Sequence, residues 1–386
     1  MRIAIFSWET VHSVYVGGVS NHVTELASAL ERKGHEIHVF TRMGRPDHLQ
    51  YERIFGVHYH RCPFESHSEF VEEINLMCQA FVKAFFATED LTGKFDVIHG
   101  HDWLVANAII WIKEARGHKA IFTIHSTEYG RCGNNTFGGN SERVRHIEWS
   151  AGYHADHVIA VSRSLRDEYQ RIYNVPDWKI DVIYNGINYN VMDGYVEPAS
   201  IRSRYGIGPL DPMVLFAGRM VDQKGPDILV QSIAGILKFY ANAKFVFAGS
   251  GEMKASVEGL ANSLGVAHAC RFLGYQGGEN LKNLFKACDC VCVPSRNEPF
   301  GIVILEAWSA GKPVVATVNG GPNEIVWHEV NGYKIYPNPE SVAWGIGSTF
   351  EDFEHAKWMG RNGRIAVETV FSWDTIAEET LSVYEC

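Results

Sequence analysis

The chain has 386 residues, enough for two domains of similar size, and its 46% hydrophobic and 12% aromatic content excludes disordered and fibrous proteins. The formal charge of −10 and the lack of a Lys/Arg block argue against a nucleic-acid partner, because neutralising phosphates requires a basic face. The longest apolar stretch, residues 104–112, is far shorter than the ~20 residues of a membrane helix, so we expect no transmembrane segment.

Eight cysteines are scattered along the chain, and residues 1–6 form a short apolar strand that does not resemble a secretory signal. A reducing, cytoplasmic location fits this pattern best. Cys288, Cys290 and Cys292 alternate, which places them on one face of a strand. We interpret them as small buried side chains and not as metal ligands.

The first half alternates short β-branched runs with amphipathic segments, the pattern of a parallel sheet covered by helices. A loop through Gly17-Gly18 leads into a predicted helix over residues 21–33, which Gly34 closes. The Gly- and Asn-rich stretch 129–140 is predicted to be a long functional loop. The predicted strands are 2–7, 36–41, 97–99, 120–125, 157–162 and a last one near 182–186.

A polar segment containing Pro198, Pro209 and Pro212 then predicts a linker, after which the same pattern begins again. The sequence therefore predicts an α/β protein with two doubly wound, Rossmann-like domains over residues 1–190 and 191–370. In the second domain the predicted strands are 213–217, 244–248, 288–294 and 313–317, and the predicted helices are 226–239, one from 252, and 301–310.

Glycines follow four of these strands, at the sheet edge where doubly wound folds bind ligands. A helix N-terminus at that edge offers unpaired N–H groups and partial positive charge to a phosphate. A single glycine pair more often serves a tight turn, but four such places in one chain predict a phosphate-bearing ligand. They are Gly17-Gly18, Gly249-Ser250-Gly251, Phe300-Gly301 and Gly320-Gly321.

Four charged residues accompany these glycines in the second half. Arg219 and Lys224 lie in the turn after a strand, where both cations can converge on one diphosphate. Glu298 precedes the next helix and Glu306 lies inside it, and their spacing predicts that both face one side. Carboxylates accept hydrogen bonds from sugar or ribose hydroxyls, which accounts for acids beside a cationic diphosphate site.

In the first half, His101-Asp102 and His125 end two hydrophobic strands. A lone histidine there is more often a structural hydrogen-bond donor than a catalyst. No HExxH spacing and no Asp-x-Asp occurs, so a metal-clamped diphosphate is not indicated and we expect neither metal nor cofactor.

Taken together, eight segments of the sequence resemble the retaining GT-B glycosyltransferases of family 4. Within that family they are most similar to glycogen synthases of the bacterial and archaeal type. The resemblance covers nearly the whole chain in the expected order. It implies two domains facing a central cleft, with residues 371–386 forming a helix that crosses back onto the first domain. The segments are GGVSNHVTELASALERKGHEIHVFTR, HDW, TIHSTEYGR, AVSRSL, VIYNGI, FAGRMVDQKG, PSRNEPFGIVILEAWSAGKPVVAT and FSWDTIAEETLSVY.

The resemblance also implies roles for individual residues. Arg219 and Lys224 would hold the donor diphosphate, Glu298 the transferred sugar and Glu306 the ribose. His125 would touch the donor sugar, with Asp102 close to it. The remaining implied contacts are a phosphate cradle formed by Phe300, Gly301, Ile302 and Val303 with Gly17 and Gly18, and an acceptor side formed by Glu9, Tyr129 and Arg131.

One position departs from the family pattern, since glycogen synthases carry Lys-x-Gly-Gly where this chain has Tyr15-Val16-Gly17-Gly18. We expect glucose transfer from ADP-glucose or UDP-glucose to a carbohydrate acceptor. The alternatives are a mannosyl- or other hexosyltransferase acting on a lipid or small-molecule acceptor, a sugar-nucleotide epimerase, and a non-catalytic nucleotide-sugar binding protein. The oligomeric state stays open.

Overall fold

The computed structural model describes all residues, 1–386. The chain forms two compact units, the first made of Met1–Gly186 with Trp373–Cys386 and the second of Ile187–Ser372. These boundaries lie within a few residues of the predicted 190 and 370. No helix combines the length and the apolar character that crossing a membrane requires.

The first unit is an eight-stranded sheet with helices on its faces. Its strands are β1 Arg2–Ser7, β2 Glu36–Arg42, β3 Tyr51–Ile54, β4 Val57–Cys62, β5 Val97–His101, β6 Lys119–Ile124, β7 His157–Ala160 and β8 Ile180–Val182. Its first six helices are α1 Gly18–Arg32, α2 Phe70–Thr92, α3 Ala106–Arg116, α4 Glu128–Arg131, α5 Asn140–His154 and α6 Arg163–Tyr173. The strand order is β3-β4-β2-β1-β5-β6-β7-β8, and only β3 runs antiparallel to its neighbour.

The second unit repeats this plan with six parallel strands in the order β11-β10-β9-β12-β13-β14. The strands are β9 Met213–Ala217, β10 Lys244–Ala248, β11 Cys270–Gly274, β12 Cys290–Val293, β13 Val314–Thr317 and β14 Gly332–Ile335. The helices are α7 Pro198–Ser203, α8 Pro226–Leu237, α9 Lys254–Ser263, α10 Gly278–Ala287, α11 Ile302–Ser309, α12 Pro322–Ile325, α13 Pro339–Glu351 and α14 Phe353–Thr369.

A last helix, α15 (Trp373–Glu385), returns to the first unit and packs on α1, as the resemblance implies. Trp373, Ile376, Ala377, Val383 and Tyr384 of this helix are buried in the core of that unit. The central strands β5 and β12 are buried along their whole length, because a parallel sheet covered on both faces exposes neither side of its strands.

Each sheet changes its winding direction once, between β1 and β5 in the first unit and between β9 and β12 in the second. At such a point the loops leaving two neighbouring strands turn to opposite faces and open a crevice at their carboxyl ends, where doubly wound folds bind ligands. Glu9 and Asp102 follow β1 and β5, and Lys224 and Glu298 follow β9 and β12. These four candidate residues therefore lie at the two switch points.

Several predicted element boundaries are wrong. Helix α1 begins at Gly18 and not at residue 21, because Gly17 already serves as its N-cap. The predicted loop 129–140 contains most of α4 and the first residue of α5. The strand predicted over 288–294 is only Cys290–Val293, although Cys288, Cys290 and Cys292 are all buried as predicted. The elements β3, β4 and α2, which lie between residues 51 and 92, were not predicted.

Candidate active site

In the second unit, an ion pair joins two of the predicted catalytic residues. The Nζ of Lys224 lies 2.8 Å from both carboxylate oxygens of Glu298, and the Ser295 hydroxyl donates to Glu298 Oε2 at 2.9 Å. The Glu298 side chain is 6% exposed and that of Lys224 is 23% exposed. The carboxylate is therefore fixed in the protein, whereas the ammonium group lies nearer to solvent.

The turn that carries Lys224 is built to approach the loop after β12. A short 3-10 turn, Asp222–Lys224, ends at Gly225, which has a φ of +63° and whose hydrogen atoms face the carbonyl oxygen of Pro294. A side chain at Gly225 would collide with that oxygen. Pro226 then begins α8, where its missing N–H costs no helical hydrogen bond.

A second ion pair braces the same two loops. Arg296 binds both carboxylate oxygens of Asp227, at 2.9 and 2.6 Å, and donates to the carbonyl oxygen of Asp222 at 2.9 Å. The backbone N–H of Arg296 also donates to the Gln223 carbonyl at 2.9 Å. Sequence reasoning missed this bracing role of Arg296, although the residue lies within the most informative motif.

Arg219 lies in the same turn but is exposed, with no ion pair or side-chain hydrogen bond. Its guanidinium group is therefore free to bind an anion from solvent. The structure brings Lys224 and Glu298 into contact and leaves Arg219 as an uncommitted cation in the loop after β9.

Helix α11, which follows the loop after β12, begins without a side-chain cap. Its N-cap is Gly301, with a φ of +99°, so the first N–H groups, those of Ile302 and Val303 among them, have no capping side chain. Such a terminus carries partial positive charge and unpaired donors. Phe300 is buried. Phosphate binding by these residues stays a prediction.

Glu306 lies one turn further along α11, partly exposed and with no side-chain hydrogen bond or ion pair. Desolvation of its carboxyl group, which the fold shields from water although part of the residue is exposed, raises the pKa to about 7. Glu298 lies four residues before the helix starts, so the helical spacing argument that placed both carboxylates on one side does not apply. Their assignment to one donor stays a prediction.

Two of the four glycine sites have packing functions. A Cβ on Gly249 would collide with the carbonyl oxygen of Gly218, and one on Gly320 would collide with that of Glu298. Gly320 also has a φ of +90°, and the Gly321 N–H donates to the Glu298 carbonyl at 2.9 Å. These glycines let neighbouring loops approach closely, so close packing alone accounts for them.

In the first unit, Glu9 organises the glycine loop. Its Oε2 accepts hydrogen bonds from the Val16 and Gly17 N–H groups, at 2.9 and 2.8 Å, and from the Ser20 hydroxyl. Glu9 is 7% exposed. The Gly17 N–H is therefore committed to Glu9, while Gly18 opens α1. Contact of Glu9 with an acceptor stays a prediction.

Asp102 and His125 lie together at the ends of β5 and β6. Asp102 has a φ of +61°, and its Oδ1 accepts the backbone N–H of His125 at 2.8 Å. Burial raises the pKa of the Asp102 carboxyl despite the nearby Arg131. Burial also lowers the pKa of His125 to about 3, so its imidazole is neutral at physiological pH. A neutral imidazole can donate or accept one hydrogen bond with a sugar hydroxyl.

Three imidazoles cluster at this position. The His125 Nε2 lies 3.2 Å from His101 Nδ1, and the ring of His22 lies 4.6 Å from that of His125, centroid to centroid. His22 Nδ1 lies 2.7 Å from Asn185 Oδ1. His22 and Asn185 were part of recognised motifs, yet sequence reasoning assigned them no role.

Arg131 and Tyr129 lie on α4, beside a buried carboxylate that sequence reasoning missed. Glu148 is 2% exposed and accepts from Arg131 Nη2 at 2.5 Å, from the Glu128 N–H at 2.9 Å and from the Tyr173 hydroxyl. Arg131 Nη1 also donates to the Ser126 hydroxyl at 2.8 Å. The Arg131 guanidinium is thus held by the protein, and its pKa is raised by Glu148 and Asp102 despite burial, which acts to lower it.

A signal for Glu148 existed in the sequence. Val144, Ile147, Ala151 and Gly152 form the buried face of α5, and Glu148 falls within that face. A charged residue on an otherwise apolar helical stripe indicates a buried ion pair. Tyr129, by contrast, is partly exposed, and the Arg171 guanidinium lies 5.1 Å from its ring centroid.

Two family models match the chain. Residues 16–191 match the family model described as Glycosyltransferase Family 4, and residues 199–366 match that described as Glycosyl transferases group 1. The fold and these two matches define a glycosyltransferase of the GT-B class. The uncharacterized glycosyltransferase MJ1607 of Methanocaldococcus jannaschii is 40% identical over 389 residues, covering 100% of this chain and 98% of that protein. The chain belongs to glycosyltransferase family 4.

Two further proteins extend the comparison. Glycogen synthase of Mycobacterium tuberculosis is 28% identical over 399 residues, covering 100% of this chain and 94% of that protein. The crystal structure of Anabaena Alr3699/HepE in complex with UDP-glucose has a TM-score of 0.80 and 22% identity, covering 99% of this chain and 100% of that one. The first is a sequence relative described as a glycogen synthase, and the second shows the same fold.

Proposed function

We propose that this protein transfers a hexose, glucose by preference, from a nucleoside diphosphate sugar to a carbohydrate acceptor. The observation that carries the proposal is the contact between Lys224 and Glu298 at the switch point of the second unit, 2.8 Å long. The partly exposed Lys224 ammonium group can bind a diphosphate, and the buried Glu298 carboxylate can accept hydrogen bonds from a sugar hydroxyl. Arg219, which has no ion pair, supplies a free cation in the same loop.

The uncapped N-terminus of α11 and the unpartnered Glu306 support the same donor class. N–H groups at a helix start bind phosphate oxygens, and a carboxylate accepts hydrogen bonds from ribose hydroxyls. UDP-glucose is the ligand of HepE, a protein of the same fold, which supports UDP-glucose as a donor beside ADP-glucose.

The proposed chemistry is a front-face displacement with retention of anomeric configuration. The bond from the anomeric carbon to the β-phosphate oxygen breaks while the acceptor oxygen bonds to the same face of that carbon. The acceptor proton passes to the departing β-phosphate oxygen, so no enzymic nucleophile, metal or other cofactor is required. Arg219 and Lys224 stabilise the charge on the leaving diphosphate, on the order of several kcal/mol.

His125 and Asp102 are assigned to the donor-sugar side of this reaction. The neutral His125 imidazole offers one hydrogen bond to a sugar hydroxyl, and Asp102 holds the His125 backbone at 2.8 Å. Asp102 is thereby a positioning residue for His125, since its Oδ1 is engaged by the backbone.

For the acceptor, a growing α-glucan is preferred because a glycogen synthase is among the relatives. Tyr15 stands at the position of the glycogen-synthase lysine and is 50% exposed, so this cation is missing from the glycine loop. A mannosyl- or other hexosyltransferase with a lipid or small-molecule acceptor is the second candidate.

The first experiment is a thermal-shift screen of UDP-, ADP- and GDP-sugars against the full chain and the Arg219→Ala variant. A donor at 100 times its dissociation constant adds about 2.7 kcal/mol to the free energy of unfolding, and we expect this shift for one base only. The donor found is then incubated with a maltooligosaccharide or with sugar phosphates, and the anomer of the product is read by NMR.

The outcomes separate the candidate functions. Transfer to the oligosaccharide with retention supports the proposal, and transfer to a sugar phosphate alone supports the second candidate. Conversion of the donor sugar to an epimer without any acceptor would identify an epimerase. Donor binding without turnover on any acceptor would identify a binding protein.

A further inference from the structure

The histidine cluster of the first unit has the arrangement of a three-imidazole metal site. One ring nitrogen from each of His22, His101 and His125 lies within 4.8 Å of the other two. His101 Nδ1 and His125 Nε2 face each other at 3.2 Å. Two imidazole nitrogens on one tetrahedral zinc ion, with Zn–N bonds of 2.0–2.1 Å, lie about 3.3 Å apart.

The cluster also contains a buried ligand atom without a partner. His22 Nε2 is inaccessible to solvent and makes no hydrogen bond. Because His22 Nδ1 faces the acceptor oxygen of Asn185, its proton resides on Nδ1, and Nε2 carries a lone pair. A carbonyl oxygen on the second nitrogen is the usual way to orient a metal-binding histidine.

A neighbouring histidine is excluded as a ligand. Both nitrogens of His99 are engaged, Nδ1 with the Tyr384 hydroxyl at 2.6 Å and Nε2 with the Thr123 hydroxyl at 2.7 Å. In its neutral form each of the three imidazoles keeps one N–H and offers one lone pair.

We propose that His22, His101 and His125 bind one zinc-class ion, namely Zn²⁺, Cu²⁺ or Ni²⁺, with His22 Nε2 joining the two facing nitrogens of His101 and His125. Three protein ligands leave the fourth tetrahedral position to water. Imidazole nitrogens favour these metals over Mg²⁺, which requires oxygen ligands. The proposed site therefore differs in its ligands from a site that binds magnesium through the oxygen atoms of a diphosphate.

The ion has a consequence for catalysis that rests on the proposed function. A metal on His125 occupies the lone pair of Nε2, so this nitrogen can no longer accept a hydrogen bond from the donor sugar. Zinc and the donor then compete for the protein, and zinc acts as an inhibitor of transfer.

A second cluster provides the matched control. Glu36, His38 and His58 also bring ligand atoms within 4.8 Å of one another. There, however, the Glu36 Oε1 is already bound by His38 Nε2 at 3.0 Å and by Arg2 Nε at 2.9 Å. The Arg2 cation repels a metal ion, so this cluster is the weaker candidate.

The test is calorimetric titration of Zn²⁺ into the full chain, stripped of metal with a chelator and desalted, with Co²⁺ absorption as a report of coordination geometry. We expect one ion per chain, tetrahedral cobalt bands, and no heat with Mg²⁺. His22→Asn and His125→Asn should each weaken zinc binding at least roughly tenfold, while His58→Asn leaves it unchanged. Thermal unfolding checks that each variant is folded, and His125 is the least buried of the three ligands.

Zinc binding that is absent, that survives both His22→Asn and His125→Asn, or that is lost in His58→Asn overturns the proposal. Because the titration needs no activity assay, it decides the metal site even if no transfer is found. If zinc binds at the three histidines and the donor still binds equally well, the metal site stands and the role of His125 toward the sugar is wrong.

Discussion

Lys224 and Glu298 neutralise each other in the free protein, with Lys224 Nζ 2.8 Å from each carboxylate oxygen. The pair joins the loop after β9 to the loop after β12, across the switch point of the sheet. Because Glu298 is the more buried partner, we expect donor binding to move the lysine and not the carboxylate. In the proposed reaction the pair is exchanged for contacts with a diphosphate and a sugar.

Removal of either cation should impair turnover and not folding. We expect Lys224→Ala and Arg219→Ala each to reduce kcat by roughly a hundredfold or more, since each removes a charge partner of the leaving group. Lys238→Ala and Arg204→Ala, which remove exposed and unpaired cations of the same unit, should keep normal rates. Steady-state kinetics with parallel thermal unfolding provide the measurement, and a near-normal kcat removes the residue concerned from the mechanism.

Transfer should not depend on a divalent cation, because in the proposed reaction Arg219 and Lys224 supply the positive charge that stabilises the leaving diphosphate. Activity in excess EDTA is expected to equal or exceed that of untreated protein, the excess arising where EDTA removes inhibitory zinc. Loss of activity in EDTA that magnesium or manganese restores contradicts this prediction.

Glu148 should be a major determinant of stability in the first unit. Glu148→Gln leaves the Arg131 guanidinium without its nearest counter-ion, which lies 2.5 Å away, at a cost of about 3 kcal/mol. Glu142→Gln makes the same change at an exposed, unpaired position of the same helix and should change stability little. Urea unfolding of the two variants gives the comparison, and equal midpoints would show that the Arg131 pair is not needed.

The sequence predicted the strands that position the site, because apolar runs mark buried parallel strands directly. It also identified the turn of Arg219 and Lys224 and the motif of Glu298. It did not predict the Lys224–Glu298 contact, since two residues this far apart meet only because β12 lies beside β9. The bracing by Arg296 and the burial of Glu148 depend on the same long-range packing.

Glu306 should reduce stability at high pH. Its folded-state pKa of about 7 lies above the ~4.3 of an unfolded glutamate, so folding disfavours the carboxylate. This penalty on the free energy of unfolding is absent below the unfolded-state pKa, grows between the two pKa values and is complete above the folded-state pKa. Glu306→Gln should therefore melt above wild type at pH 8, with a gap that closes toward pH 4. Exposed Glu340→Gln serves as the control, and a gap independent of pH contradicts the prediction.

The two glutamates should affect different parts of one donor. Glu298 is assigned to the sugar, so Glu298→Gln, nearly isosteric but uncharged, should lower kcat more than it weakens binding of the free nucleoside diphosphate. Glu306 is assigned to the ribose, so Glu306→Gln should weaken binding of donor and free nucleoside diphosphate alike, with a smaller effect on kcat.

The physical reason is the point in the reaction at which each contact gains strength. A contact that strengthens only as positive charge develops on the sugar appears in turnover, whereas one that is equal before and during the reaction appears in affinity. Because Glu298 also holds Lys224 at 2.8 Å, the Lys224→Ala variant is titrated beside it, to separate loss of the carboxylate from release of the lysine. Calorimetry measures the affinity of each variant for the nucleoside diphosphate, and steady-state kinetics measure its kcat. If Glu298→Gln loses nucleotide affinity and Glu306→Gln keeps it, the donor lies in the opposite direction along α11.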